Sequence, residues 1–397
     1  MRAGASIADR APARPEPGVL AEVAQAATGR PTAVVSRWWR EPVDHVIGSW
    51  GTAGLSRVRG IAAVGAETLP WSAVVKVLGS SRGLPLPDSL PAHARGRIEA
   101  MAATDRTWRH EADVYLADLD DVLPTGMRLP VRYRIDDHDD EIVEWLEDVP
   151  IANVTWDRAR FTRAATLLGR LAVRLTRCTR LPDSVLRVPG EVLRLQWLER
   201  QVFALPALAG GAIWADPQVA AVADTGLRAD LLRLAERVPA LLATLDGLPQ
   251  TLVHGDASPQ NLLVPAGAPD TFVAIDWSLM GPAAVGYDLG QLLIGLAHAG
   301  RLDVDRLTTV HDAVLPAYTA GLADEGIRVD PDVVRFGCHA ALVVRSAFSA
   351  LEFSALEFSG LPPPGPPTPD RAATVASRVR LTRHLVDLGL ALPHAGP

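Results

Sequence analysis

The apolar residues of this 397-residue chain change their period once, at Pro150, and that change limits the folds open to it. Before Pro150 they come in short runs rich in Val, Ile and Trp: AVVSRWW from Ala33, HVIGSW from His45, SRVRGIAAV from Ser56, SAVVKVL from Ser72, then VRYRI and EIVEWLEDV around the polar turn DDHDD. Runs of this length between turn-forming residues read as strands, the last two as a hairpin. After Pro150 the apolar residues recur every three or four positions. Over 157–177, Phe161, Ala164, Ala165, Leu168, Leu171, Ala172 and Leu175 form one stripe, the core side of a long helix. Further helices are expected over 190–208 and 219–245, with Pro206 and Pro239 as interruptions, and over 303–321, 331–353 and 370–390.

Strands first and helices after is the segregated order of an α+β chain. The length exceeds that at which one core stops growing, so two lobes are expected. Residues 1–30 read as a Pro- and Arg-rich, disordered lead-in followed by a short helix over 19–27. Residues 31–148 read as a small antiparallel β lobe with one main helix over 97–118, and residues 149–397 as a helical lobe. Residues 80–91, rich in Pro, Gly and Ser, read as an insertion loop. The tandem repeat SALEFSALEFS puts Glu352 and Glu357 on different helix faces, since five residues advance a helix by about 500°.

Composition removes several classes. Hydrophobic residues at 48% and charged residues at 21% exclude a largely disordered chain, and a net charge of −7 speaks against a general binder of nucleic acid or anionic membrane. Cys178 and Cys338 stand far apart with no second thiol beside either, so no disulfide framework or zinc site is expected. The first residues lack the apolar core of a signal peptide and no apolar run reaches about eighteen residues, so the expectation is a soluble, cytoplasmic protein. Oligomeric state leaves no mark in the sequence.

The basic residues are 38 arginines and one lysine, Lys76. A solvated surface accepts either cation, so the one position that keeps Lys is expected to need a compact ammonium on a flexible stem. Lys76 lies inside AVVKVL, a buried-strand run with one charge, in the V-A-I-K context of a phosphate-gripping lysine. Its partners would be phosphates and a helix glutamate, for which Glu111 is the best candidate and Asp113 the nearby rival. Gly51 and Gly54 close the loop GSWGTAG ahead of this strand, where backbone amides can approach phosphate without a Cβ in the way. Glu147 lies in 144–149, where the hairpin ends and a hinge between lobes should fall, with backbone groups open to an adenine edge.

The densest polar stretch is TLVHGDASPQNLLVPAGAPDTFVAIDWSLMGPAAVGYDL, residues 251–289. An apolar start delivers His254, Asp256 and Asn261 on one short loop, a β-branched run delivers Asp276, and a Gly/Pro turn leads to Asp288. Asp and Asn are ordinary turn residues. The paired spacings say more, because His-x-Asp followed five residues on by Asn is the order in which an Asp takes the acceptor hydroxyl's proton and the Asn holds Mg²⁺. Asp276 fits a second metal carboxylate, and Mg²⁺ asks for few protein oxygens beyond those of a phosphate substrate.

On HGDASPQNLL, IDW and GPAAVGYDLGQLL, with Lys76 upstream, the chain resembles the aminoglycoside phosphotransferase and choline kinase-like group over about residues 46–353. The resemblance implies a protein-kinase-like two-lobed fold, with Asp256 as catalytic base, Asn261 and Asp276 on Mg²⁺, Lys76 paired with Glu111 on the phosphates of ATP or GTP, and His254 as a prop of the loop. It also implies a small hydroxyl-bearing acceptor such as an antibiotic, amino sugar or other metabolite. Three features separate the chain from protein kinases: Ser258 stands where many have Lys, Trp277-Ser278 replaces Phe-Gly after the metal Asp, and about ten residues replace the peptide-holding activation segment. The competing readings are a non-catalytic nucleotide-binding scaffold, opposed by the intact Lys76, Asp256, Asn261 and Asp276, and a protein kinase, opposed by the missing peptide platform. Asp288, Glu352 and Glu357 are the acids considered for an amino-bearing acceptor.

Overall fold

Alternating burial builds the first lobe. In β2 (Thr52–Val64) and β3 (Glu67–Gly79) the residues Val58, Ala62, Trp71, Ala73, Val75 and Val77 are buried at two-residue intervals, as one face of a pleated sheet requires. In the computed structural model, which describes residues 15–43, 51–80, 82, 95–96, 99–100, 107–185, 188–202, 204–351 and 371–393, these strands join β1 (Val34–Pro42), β5 (Arg132–Asp137) and β6 (Glu141–Glu147) in an antiparallel sheet of order β1-β2-β3-β6-β5. The run HVIGSW and most of residues 80–91 lie outside the described residues.

The short helix α1 (Pro17–Thr28) is part of this sheet's core. Its Leu20, Val23 and Ala24 bury against Val58, Trp71, Val75 and Trp145. Of the expected helix over 97–118, the described residues are α-helical at 99–100 and over α2 (His110–Leu116), which a 3₁₀ turn at Thr107–Arg109 precedes. α2 lies between two cores: Trp108 and Ala112 pack on Leu78 and Ile142 of the sheet, whereas Val114 and Tyr115 join the large core that continues into the helical lobe. Lys76 has the strand parity of Leu78 and therefore faces α2.

The helical lobe opens with α3 (Arg158–Arg177), N-capped by Asp157, which accepts from the Arg160 N–H at 2.9 Å, and all seven residues of the expected stripe are buried. α4 (Glu191–Val202) is followed by short helical turns between 204 and 220, then by α5 (Leu227–Gly247). Pro239 was expected to interrupt α5 and does not: it is exposed, on the side where water can take the carbonyl whose helical bond it removes. Two small sheets then frame the polar stretch. β7 (Gln250–Val253) pairs with β10 (Gly281–Ala284), while β9 (Phe272–Ala274) lies between β8 (Leu262–Leu263) and the parallel β4 (Met127–Arg128). The lobe closes with α6 (Tyr287–His298), α7 (Leu307–Asp324), α8 (Pro331–Ser346) and α9 (Arg371–Ala391). The tandem repeat from residue 352 onward, with Glu352 and Glu357, lies outside the described residues. Among the described residues no helix is long and apolar enough to cross a membrane.

Candidate active site

The loop between β7 and β8 is built before any ligand arrives. Leu252 and Val253 bury the strand that starts it, and Gly255 follows with φ +90°, its Cα so close to β10's approach that a Cβ would lie 2.0 Å from the Leu279 carbonyl oxygen. Only glycine fits there. Asp288, in the first turn of α6, accepts the backbone N–H groups of His254 at 2.9 Å and Gly255 at 2.8 Å. This buried carboxylate braces the loop and is not open to an acceptor, which removes it from the acids considered above. The His254 ring packs, tilted, against Trp277 with ring centroids 4.4 Å apart, accepts the Asp256 N–H on Nδ1 at 3.2 Å and, with the proton on Nε2 that this pairing assigns, donates to the Ile275 carbonyl at 3.1 Å.

Asp256 thereby emerges with a fixed backbone. Its Oδ1 accepts from Arg345 Nη2 at 2.8 Å, and its Oδ2 from Asn261 Nδ2 at 3.1 Å, while the same Nδ2 also donates to the Asp256 carbonyl at 2.9 Å. Asn261 thus turns its nitrogen toward Asp256 and its oxygen the other way.

On the sheet side Lys76 Nζ pairs with Glu111 Oε2 and lies 3.5 Å from Asp276 Oδ1. Glu111 Oε1 accepts the Tyr115 hydroxyl at 3.1 Å and the Asp276 N–H at 3.2 Å. The rival Asp113 instead accepts the Ser184 hydroxyl at 2.6 Å. Asp276 sits in the left-handed region at φ +60°, a conformation Asp tolerates better than most residues and which lets its N–H reach Glu111 while its carboxylate meets Lys76 and the Ser278 hydroxyl. Burial works against both charges. The nearby carboxylates of Asp276, Glu111 and Glu144 nonetheless push the Lys76 pKa up, and Lys76, Ser278 and His254 hold Asp276 below its ordinary range. Glu144, paired across the sheet with Lys76, is fully buried and neither of its carboxylate oxygens has a hydrogen-bond partner among the described residues. Burial, with Glu111 nearby, raises its pKa well above 4.5.

Lys76, Glu111 and Asp276 therefore meet on one side, and Asp256 and Asn261 on the other. Gly51 and Gly54 fall in the sheet ladder: the Gly51 carbonyl accepts the Gly79 N–H at 2.9 Å, and Gly54 follows a register irregularity after Thr52, while residues 48–50 lie outside the described set. Glu147 departs from the hinge expectation. Its carboxylate holds Arg128 at 2.6 and 2.8 Å and accepts the Val131 N–H at 3.0 Å, and its own N–H donates to the Val131 carbonyl at 2.8 Å, so neither group is open to an adenine edge. Glu144, Tyr115 and Arg345 escaped the sequence reading. Tyr115 had a signal, standing four residues after Glu111 on one helix face, and Glu144 had one as a charge inside a buried strand run. Arg345 had none, since it meets Asp256 across 89 residues.

Beside the loop a small cavity of about 20 Å³ is lined mostly by apolar residues, among them Val192, Leu193, Leu279 and Tyr287. Its one carboxylate, Asp246, is paired with Arg194.

No curated protein matches the sequence significantly. Among solved structures the chain is similar to an amicoumacin kinase in complex with AMP-PNP, Ca²⁺ and Ami, with 11% identity over 88% of this chain and 89% of that one at a TM-score of 0.48. It is also similar to an aminoglycoside phosphotransferase from Alicyclobacillus acidocaldarius, with 14% identity over 97% of each chain and a TM-score of 0.47. A spectinomycin phosphotransferase in complex with ADP and spectinomycin gives 12% identity over 93% and 97% at a TM-score of 0.46. The profile of the phosphotransferase enzyme family matches residues 89–326, more than half of the sequence and the whole of the β7 to α6 stretch, and the chain belongs to that family of small-molecule kinases.

Proposed function

We propose that the protein transfers the terminal phosphoryl group of a nucleoside triphosphate, ATP or GTP, to a hydroxyl of a small molecule, with Asp256 as the base that takes up the hydroxyl proton. The observation that supports this most is the convergence of Lys76, Glu111 and Asp276 opposite Asp256 and Asn261, five residues drawn from both lobes. The reading as a non-catalytic scaffold leaves that convergence without a purpose.

Each group has a role that its geometry supports. Lys76, oriented by Glu111 and lying near Asp276, presents a point ammonium to phosphate oxygens. Asp276, whose side chain keeps 36% of its surface exposed, and Asn261, whose amide oxygen is turned from Asp256, are a hard oxygen donor set suited to Mg²⁺. A cation held there would neutralise phosphate charge when bound. Asp256 is held so that only its remaining lone pairs can accept from an acceptor hydroxyl, and orientation of this kind supplies most of the catalysis in phosphoryl transfer.

On the acceptor side the supporting facts concern charge. Asp288 braces the loop and Asp246 is paired with Arg194, so neither offers a free carboxylate to a polycationic amino sugar. The test is ADP or GDP release by the purified protein with Mg²⁺ against a panel of neutral hydroxyl compounds, amino sugars and peptides. Turnover on a small hydroxyl compound is the expected result, and nucleotide binding with no turnover on any acceptor would favour the scaffold.

A further inference from the structure

The loop that carries Asp256 has no cation of its own. Position 258 is Ser, it is buried, and α6 passes over it so closely that a Cβ on Gly295 would lie 2.8 Å from the Ser258 Cβ. A long charged side chain has no room in that packing. The cation beside Asp256 comes from elsewhere, the last turn of α8, where Arg345 keeps only 12% of its side-chain surface exposed.

Burying a guanidinium costs several kcal/mol unless its donors are met. Arg345 meets two acceptors at once, Asp256 Oδ1 through Nη2 at 2.8 Å and the Gly255 carbonyl through Nη1, so its fork spans the backbone and the side chain of consecutive residues. The helix that carries it is seated without slack. A Cβ on Gly337 would lie 2.1 Å from the Val285 carbonyl oxygen, and one on Gly286 would lie 2.5 Å from that of Val334, so α8 touches the β10–α6 junction backbone to backbone at two points. Asp288, which braces the other side of the same loop, lies in the helix that begins at this junction.

We infer that Arg345 is a positioning residue for the transfer step, resting on Asp256 as the base: it fixes the Asp256 carboxylate against Asn261 and supplies, from α8, the positive charge that the loop cannot carry at position 258. With Oδ1 held by Arg345 and Oδ2 by Asn261, the carboxylate plane cannot rotate, and the acceptor hydroxyl meets it in one orientation. The guanidinium does not contact Lys76, Glu111 or Asp276 in the structure, so nucleotide affinity is independent of it.

The experiment compares Arg345→Ala and Arg345→Lys with Asp256→Asn, alone and combined, on an acceptor for which the parent turns over. Arg345→Ala is expected to lower kcat by roughly 10²-fold while the nucleotide KM stays within about twofold, the signature of lost orientation and not of lost binding. Added guanidinium ion should recover part of that activity in Arg345→Ala and none in Asp256→Asn. In the double variant the two losses should not multiply, since both remove the same positioned carboxylate. Arg345→Lys, which keeps the charge but not the fork, should fall between parent and Ala and guards against a variant that fails to fold. An Arg345→Ala kcat within about twofold of the parent, or losses that multiply, overturns the inference while leaving Asp256 as base. Parent-like turnover in Asp256→Asn instead overturns the reading on which it rests.

Discussion

Two clusters of charge face one another across the site, and they are assembled on different terms. Around the β7–β8 loop each carboxylate has its own donors: two backbone N–H groups of the loop for Asp288 of α6, Arg345 and Asn261 for Asp256. Around Lys76 three carboxylates lie near a single ammonium, and one of them, Glu144, has no donor among the described residues. The loop is complete without a ligand. The sheet side keeps an excess of acid that a bound cation would complement. Direction is thus built into one half, through hydrogen bonds, and charge balance is left open in the other.

The loop half is the easier to break. Asp256→Asn preserves the shape and the Arg345 contact but removes the charge that takes the proton, so turnover should fall by about 10²- to 10⁴-fold while stabilisation by Mg·ATP in thermal unfolding is retained. Retained turnover would show that the directed half does not carry the proton.

On the other half the effects should be smaller and should appear in binding first. Asp276→Ala leaves the metal one neutral amide, Asn261. The variant should lose the Mg²⁺-dependent part of nucleotide stabilisation, about 2.7 kcal/mol at a ligand concentration near 100 times Kd. An unchanged melting shift would remove Asp276 from the metal site. Lys76→Arg keeps the charge but brings a planar fork to a position whose partners are Glu111 and phosphate. At least a roughly 10-fold loss of turnover, about 1.4 kcal/mol, is expected in a normally folded protein. Parent-like turnover at saturating nucleotide would mean that the single lysine is an accident of composition.

The smallest effect concerns Glu144 and has the opposite sign. Burial raises its carboxyl well above 4.5, so the stability linked to its bound proton is full below that pH and is lost as pH rises toward the folded value. Glu144→Gln keeps the volume and needs no proton. The variant should match the parent near pH 4 and exceed it by about 1 kcal/mol near pH 8 in denaturant titrations, with a gap that widens as pH rises. A variant less stable than the parent at alkaline pH would mean that Glu144 is ionised and paired.

How much of this could be read from residues alone follows the range of the interactions. The alternation in β2 and β3, the stripe of α3 and the spacings that bring Asp256, Asn261 and Asp276 to one loop pair are local, and the structure places them within a few residues of the expected bounds. Lys76 and Glu111, 35 residues apart, were legible because one charge in a buried strand demands a partner. Asp288 was visible as a residue but misread, because a carboxylate that accepts backbone N–H groups 33 and 34 residues away has no sequence signature. The partners of the Glu147 carboxylate were hidden for the same reason, since the segment holding it, 128–131, precedes its own strand hairpin. Pro239 shows the converse, where a strong local rule yields to solvent exposure.

The arginine bias of the sequence has one practical consequence. Because Lys76 is the only lysine, the protein displays a single side-chain amine, it keeps 13% of its surface exposed, and it is tied to Glu111. An amine-directed reagent therefore has one side chain to acylate, at the place where the phosphates are expected. Because the carboxylates of Asp276 and Glu111 hold that amine as the ammonium, its acylation should be slow in the folded chain and rise when the site opens, so its extent, read by mass spectrometry, is a gauge of opening.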